Sequence, residues 1–320
     1  MSMRALKIGF VLDPPEKIKC LEDTSFYIMK EAYERGHEIF YLDSRDIWAR
    51  GEKILARAKT VVVNFNDGFK ALQAFDSLSL ESLDLIFIRK DPPFDSHYLY
   101  LTYLLELLKG KVPILNDPAG IRNANEKLCI LNFPGRIPET LVASQIEPFL
   151  EFLGDMKDIV LKPLCERGGV DVIRLKKENS EKEKIISEHL DKYGSLMAQR
   201  FLPEVQTTGD KRILLLVGEI LGGYVRIPPR GDFRVSVFHD GRYEPATLSD
   251  QDRELVKEIS PKLLRDGLYF VGLDVIGDLI SEINVTSPAG IPEINHFAGE
   301  KLEEKVVSFL EHFASAGNRV

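Results

Sequence analysis

Apolar and polar positions along the chain change period several times, and the changes mark out its elements. Residues 6–12, LKIGFVL, form a short apolar run that reads as a buried strand, stopped by Asp13-Pro14-Pro15. Thr24-Ser25 offer caps for a helix of about ten residues that Gly36 closes. Residues 37–42 return to strand, and this strand–helix–strand order favours a parallel sheet. Residues 59–65 read as a further strand or hairpin arm, 84–90 as another strand, 96–109 as an apolar-rich helix ended by Gly110, and 112–116 as a last strand. Beyond them, strands are expected at 140–143, 158–164 and 169–176, with an amphipathic helix between the first two. Residues 196–203 alternate as a strand, and a hairpin turn is expected at Gly218-Glu219. A long amphipathic helix spans 249–267, and another closes the chain near 299–314.

The most informative pattern lies at residues 269–288, YFVGLDVIGDLISEINVTSP. Val271, Leu273 and Val275 alternate with Gly272, Asp274 and Ile276, and a second strand runs from Ile280 to Val285. Glu282 and Asn284 are two apart and share a face. Asp274 joins them only if it lies opposite Glu282. A two-residue loop would pair it with Ser281, whereas a three-residue loop, Gly277-Asp278-Leu279, puts every apolar residue on one face and all three oxygen donors on the other. Such donors suit Mg²⁺, which takes a few carboxylates together with water and substrate phosphates.

Composition narrows the class. A length of 320 residues predicts two or three domains. A net charge of −8 without a basic run argues against nucleic acid or a membrane surface as the main partner. The chain has no apolar stretch of about 18 residues, and MSMRALKIGF is too short and interrupted for a signal peptide. Three cysteines without metal or redox spacing read as reduced thiols, hence a cytoplasmic protein. The first 120 or so residues lack G-x-G-x-x-G, so a dinucleotide is not expected there.

GLDVIGDLISEINVTSP closely resembles the metal-binding hairpin of the prokaryotic glutathione synthetases, a family of ATP-grasp ligases. The likeness extends to DTSF at 23–26, RKDPPFD at 89–95, NEKL at 125–128, IVLKP at 159–163, LMAQRFLP at 196–203 and RIP at 226–228. It implies a mixed α/β and α+β fold: a Rossmann-like N-terminal substrate domain at 1–122, an ATP-grasp lid lobe at 123–200 and a C-terminal lobe with the metal hairpin at 201–320. It assigns Lys127, Lys162, Gly168, Gly169, Gln199, Phe201, Leu202 and Asp210 to the nucleotide, the adenine being met by the backbone of Phe201 and Leu202. Ser25, Arg89 and Arg226 fall to the substrate, Arg212 and Arg234 to catalysis, and Asp274, Glu282 and Asn284 to the metal, Mg²⁺ with Mn²⁺ as the alternative. The activity it implies joins γ-glutamylcysteine to glycine through an acyl phosphate, in a homo-oligomer, a tetramer.

Two loops depart from the family. Its L-D-G-x-G-G becomes Leu164-Cys165-Glu166-Arg167-Gly168-Gly169, so a flexible glycine is lost and an arginine enters. After Pro229 the family's R-x-N becomes Arg234-Val235-Ser236 and most glycines disappear. These changes keep two alternatives open: a ligase of the same fold for another acid–amine pair, and a nucleotide-binding module without catalysis.

Overall fold

The computed structural model describes residues 4–14, 16, 18–66, 68–234 and 241–316. Among the described residues, three sheets follow one another along the chain. The first has the order β4-β3-β2-β1-β5-β6, built from β1 (Lys7–Leu12), β2 (Glu38–Arg50), β3 (Lys53–Asn64), β4 (Gly68–Ser79), β5 (Leu85–Ile88) and β6 (Ile114–Leu115). Its centre is parallel, as β1 pairs with β2 and β5, and β5 with β6. Side chains alternate across it. Ile8, Phe10 and Leu12 pack with Phe26 and Met29 of helix α1 (Thr24–Glu34) and Leu310 of α8 (Leu302–Ala316). Val11, Phe40 and Leu42 face Tyr98 and Leu101 of α2 (Ser96–Glu106). Helices therefore cover both faces, as buried strands require.

The parallel expectation holds only for this centre. β2 runs on to Arg50 and turns back at Gly51, whose φ is +61°, so β2–β3 and β3–β4 are antiparallel hairpins. Residues 43–50 read as polar, and β4 is largely exposed, so neither carried a core-facing period. The cap of α1 is also Asp23 rather than Thr24 or Ser25; its carboxylate accepts the Phe26 N–H at 2.8 Å.

The second sheet has the order β7-β10-β8-β9, from β7 (Thr140–Ala143), β8 (Asp158–Pro163), β9 (Ile173–Lys176) and β10 (Leu196–Arg200). Helices α4 (Ile146–Met156) and α5 (Lys182–Tyr193) cover it through Phe149, Leu153 and Ile186. The third sheet has the order β13-β12-β11-β14-β15, from β11 (Asp210–Leu216), β12 (Glu219–Ile227), β13 (Arg242–Pro245), β14 (Phe270–Ile276) and β15 (Leu279–Asn284). Helix α6 (Asp250–Arg265) packs on it, held at its start by the Ser249–Asp252 capping box. The β11–β12 turn is Val217-Gly218, one residue earlier than expected, with φ of 53° and 76°. Positive φ at both central positions is the hairpin-forming type, and valine accepts it only under strain.

Residues 124–127 link α3 (Pro118–Asn123) to a 3₁₀ turn at Leu128–Asn132. The Asn125 side chain holds it, accepting N–H bonds from Lys127 and Leu128 at 3.1 and 3.0 Å.

Asn116 joins the first sheet to the third. Its Nδ2 donates to the carbonyls of Phe270 and Val285 at 2.8 and 2.9 Å, and its Oδ1 accepts from the N–H groups of Tyr269 and Phe270, both at 2.9 Å. All four bonding positions of one buried amide are thus filled. Asn116→Ala should strand several backbone groups and lower stability by about 3 kcal/mol or more, read as a fall in the urea midpoint. A midpoint equal to the parent's would show that the bridge is dispensable.

Candidate active site

A cleft of about 270 Å³ opens between the second and third sheets. Its floor is a row of charged side chains set by strand register. Tyr224 on β12 lies across from Arg212 on β11, Arg212 across from Asp274 on β14, and Asp274 across from Glu282 on β15. Asp210 and Arg226 pair two residues further along β11 and β12. Period two puts all of them on one face.

Asp274 does lie opposite Glu282, but by a different route from the one expected. The loop has only two residues, Gly277-Asp278, since Ile276 pairs with Leu279. A bulge between Asp274 and Val275 in the pairing supplies the missing residue on the other strand, at Ser281. Ser281 turns inward and its hydroxyl donates to the Asp274 carbonyl at 3.3 Å. A parity argument assumes a regular ladder, and this ladder is irregular.

The floor is densely paired. Both Asp274 oxygens accept from Arg212, through Nε and, at 2.9 Å, through Nη2. Arg226 Nη2 reaches Asp274 Oδ2 at 2.9 Å and Asp210 Oδ2 at 2.6 Å. Burial alone would raise the Asp274 carboxyl, but the two guanidinium groups outweigh it and hold the group well below the usual range. Asp210 differs: burial outweighs Arg226 and pushes it up to about 6, and its Oδ1 has no partner among the described residues.

Two lysines enter from the other side. Lys127 Nζ donates to the Glu166 carbonyl and lies 3.2 Å from Glu282 Oε1. Burial opposes its charge, yet Glu282 and Glu126 together raise its pKa. Lys162, on β8, points to the Ser281 carbonyl at 3.4 Å, and burial lowers its pKa. The loop after β8 carries Gly168 and Gly169 at φ of 63° and 76°, both lining the cleft. Its Arg167 pairs at 2.7 Å with Asp91 of RKDPPFD, and Arg234 pairs at 2.9 Å with Asp232. Val235 and Ser236 lie outside the described residues.

An apolar slot closes one end of the cleft, formed by Val160, Phe201, Val205 and Phe233. The Arg174 guanidinium stacks 3.5 Å from the Phe201 ring centroid. The Phe201 N–H is taken by the Asp158 carbonyl and the Leu202 carbonyl by the Val205 N–H. This leaves the Phe201 carbonyl and Leu202 N–H without a partner among the described residues. Gln199 lines the slot's edge, its amide donating to Thr140 at 3.2 Å.

Ser25 and Arg89 do not line this cleft. Both are buried behind it: Arg89 Nε donates to Ser25 Oγ at 2.9 Å, and Nη2 to the Pro288 carbonyl at 2.8 Å. Arg89 Nη1 is buried without a partner among the described residues. Sequence reasoning missed Glu126. It is half-buried, and its Oε1 accepts the N–H groups of Val285 and Thr286 and the Thr286 hydroxyl at 2.7–3.0 Å. It thereby fixes the strand end beside Asn284, and its place in NEKL was the available signal. A larger cavity of about 590 Å³ lies between α2, α3 and α6. It holds none of the residues singled out from the sequence, and its Lys109–Asp117 and Lys262–Asp266 charges are already paired.

The two sheets enclosing a lysine- and carboxylate-lined cleft make this chain an ATP-dependent carboxylate–amine ligase of the ATP-grasp class. Solved structures share the fold: D-cycloserine synthetase superposes with a TM-score of 0.67 at 12% identity, over 95% of this chain and 99% of that one. D-alanyl-alanine synthetase A from Vibrio cholerae gives 0.60 at 13%, over 98% and 99%. The chain belongs to the prokaryotic glutathione synthetase family, whose N-terminal domain matches residues 6–122 and whose ATP-grasp domain matches residues 126–299. It is 40% identical over 311 residues to the glutathione synthetase of Coxiella burnetii, covering 96% of each chain. To that of Vibrio cholerae it is 39% identical over 313 residues, covering 96% of this chain and 97% of the other.

The family uses a divalent metal, and the residues on the hairpin fit one. Asn284 donates through Nδ2 to Asp274 Oδ2 at 3.2 Å, so its amide oxygen stays free to coordinate beside Glu282. The fit is incomplete without phosphate. Among the described residues no three His, Cys, Asp or Glu surround one point, and Asp274 already serves two arginines. A hard cation would draw the rest of its shell from nucleotide and water. Titration calorimetry should therefore show Mg²⁺ affinity at least about tenfold weaker without nucleotide than with a non-hydrolysable ATP analogue. Equal affinity in both states would mean that the hairpin forms a complete metal cage.

Proposed function

We propose that the chain couples ATP cleavage to amide formation between γ-glutamylcysteine and glycine. The observation that carries this reading is the continuous row of Arg226, Arg212, Asp274 and Glu282 facing Lys127 and Lys162 across one cleft. The adenine fits the Phe201–Phe233 slot, its amino group donating to the Phe201 carbonyl and its ring nitrogen accepting from Leu202. Gly168 and Gly169 let the loop backbone approach the phosphates. Lys127 and Lys162 stabilise charge on the transferred phosphoryl group. Asp274, Glu282 and Asn284 hold the metal, taken as Mg²⁺ with Mn²⁺ as the substitute, which when bound supplies further neutralisation. The cysteine carboxylate is presented to the γ-phosphate by Arg226 and Arg212, and glycine attacks the resulting acyl phosphate. Asp210 orients Arg226. Arg234, which lines the cleft, adds positive charge beside that intermediate. Ser25 and Arg89 support the Pro288–Ala289 wall from behind. The reading places the chain in the cytoplasm as a homo-oligomer, and its three cysteines are unpaired. No described helix is long and apolar enough to cross a membrane.

The second reading, another acid–amine pair, rests on the altered loop at 164–169. ADP release measured with each substrate alone and with both should occur only with γ-glutamylcysteine and glycine together. Release with other pairs at a higher rate would favour the second reading, and ATP binding without turnover on any pair would refute both. Glu282→Gln keeps the side chain's shape and removes one charge. It should cut turnover at least about a hundredfold while leaving the thermal midpoint near the parent's. Undiminished turnover would make the hairpin structural only.

A further inference from the structure

The apolar slot has a charged pair behind its wall. Arg174 on β9 lies across from Val160 on β8, and Asp158 stands two residues before Val160, so period two turns all three side chains to one face. The Asp158 carboxylate takes Arg174 in a fork, from Nε at 2.9 Å and from Nη2 at 2.6 Å. The guanidinium held in this way lies 3.5 Å over the centre of the Phe201 ring. The backbone carbonyl of the same aspartate accepts the Phe201 N–H at 3.0 Å. Asp158 thus grips residue 201 twice, directly at its backbone and through Arg174 at its ring. Arg174 itself does not line the cleft. Nor is the pair an effective staple for the sheet: its side chains are 25% and 27% exposed, and ion pairs that meet water contribute little to stability.

We propose that Arg174, held by Asp158, is a positioning residue for the nucleotide base: it fixes the Phe201 ring and thereby the direction of the Phe201 carbonyl that meets the adenine amino group. The inference rests on the function proposed above, which puts adenine in this slot, and deepens it. The Phe201 Cα bonds to its nitrogen, its side chain and its carbonyl carbon. Asp158 holds the first and Arg174 the second, so the third has one direction left. The planar peptide beyond it is held at its far side, where the Leu202 carbonyl accepts the Val205 N–H at 3.2 Å. A fixed acceptor beside a fixed donor reads adenine and rejects a 6-oxopurine. The oxygen of such a base would face the Phe201 carbonyl, and its ring N–H would face the Leu202 N–H. Arginine suits this task because its planar fork meets the carboxylate and covers the ring at once. A lysine ammonium, a point charge on a flexible stem, does neither.

Titration calorimetry with ADP and with inosine diphosphate, each with Mg²⁺, tests this without requiring turnover. The parent should bind ADP about tenfold to a hundredfold more tightly than inosine diphosphate. Arg174→Met keeps the length of the stem and loses both fork and charge. It should weaken ADP binding by about fivefold or more and leave inosine diphosphate within about twofold, with a thermal midpoint near the parent's. Arg174→Lys should retain only part of the preference for ADP. An Arg174→Met protein that keeps the full preference overturns the proposal, and so does one that loses both nucleotides equally, the mark of a merely structural role. Neither result touches the ligase reading, which stands on turnover. A parent that binds the two nucleotides alike overturns the proposal, and a parent that binds neither overturns the ligase reading with it. If Arg174→Met does not fold, Asp158→Asn is read instead, since it keeps the backbone carbonyl: a reduced preference supports the clamp and an unchanged one overturns it.

Discussion

Everything in the cleft depends on one buried carboxylate. Asp274 sits between two arginines from neighbouring strands and across from a second carboxylate, Glu282. Taking such charges out of water costs several kcal/mol per ion, and their mutual attraction does little more than offset this. An apolar row of equal volume would hold β11, β12 and β14 together as well. The charged row therefore has its value in chemistry: it keeps cations and oxygen donors fixed at one place, so little reorganisation is needed when phosphate charge arrives.

Most of this was legible in the sequence, and the misses have local physical causes. The hairpin's alternation revealed the shared face of Asp274, Glu282 and Asn284. It did not reveal the bulge at Ser281, because a bulge changes loop length and parity together and leaves the facing unchanged. The antiparallel extension at 43–79 was hidden for another reason. A strand that buries little has no reason to alternate, and β4 is mostly exposed. Ser25 and Arg89 were each expected at the substrate, but no pattern of types distinguishes a side chain that lines a cleft from one that braces its wall. Glu126 acts through tertiary placement, and only its position within NEKL signalled it.

The altered loop at 164–169 gains a different anchorage from the glycines it lacks. Its Glu166 carbonyl is held by the Lys127 ammonium, its Leu164 carbonyl by Asn125, and its Arg167 by Asp91 of the first domain. These bonds span all three sheets' neighbourhoods through one short segment. A nucleotide phosphate competing for Lys127 would free one of them, so the loop's position and the occupancy of the cleft are linked.

The central claim is that a substrate carboxylate, held by Arg212 and Arg226, takes the γ-phosphoryl group of ATP. Oxygen tracing tests it most directly. γ-Glutamylcysteine labelled with ¹⁸O in its cysteine carboxyl is turned over with ATP and glycine, and the inorganic phosphate is examined by ³¹P NMR. An acyl phosphate intermediate leaves one labelled oxygen in each phosphate released. Unlabelled phosphate, with the label in water or AMP instead, would contradict the account.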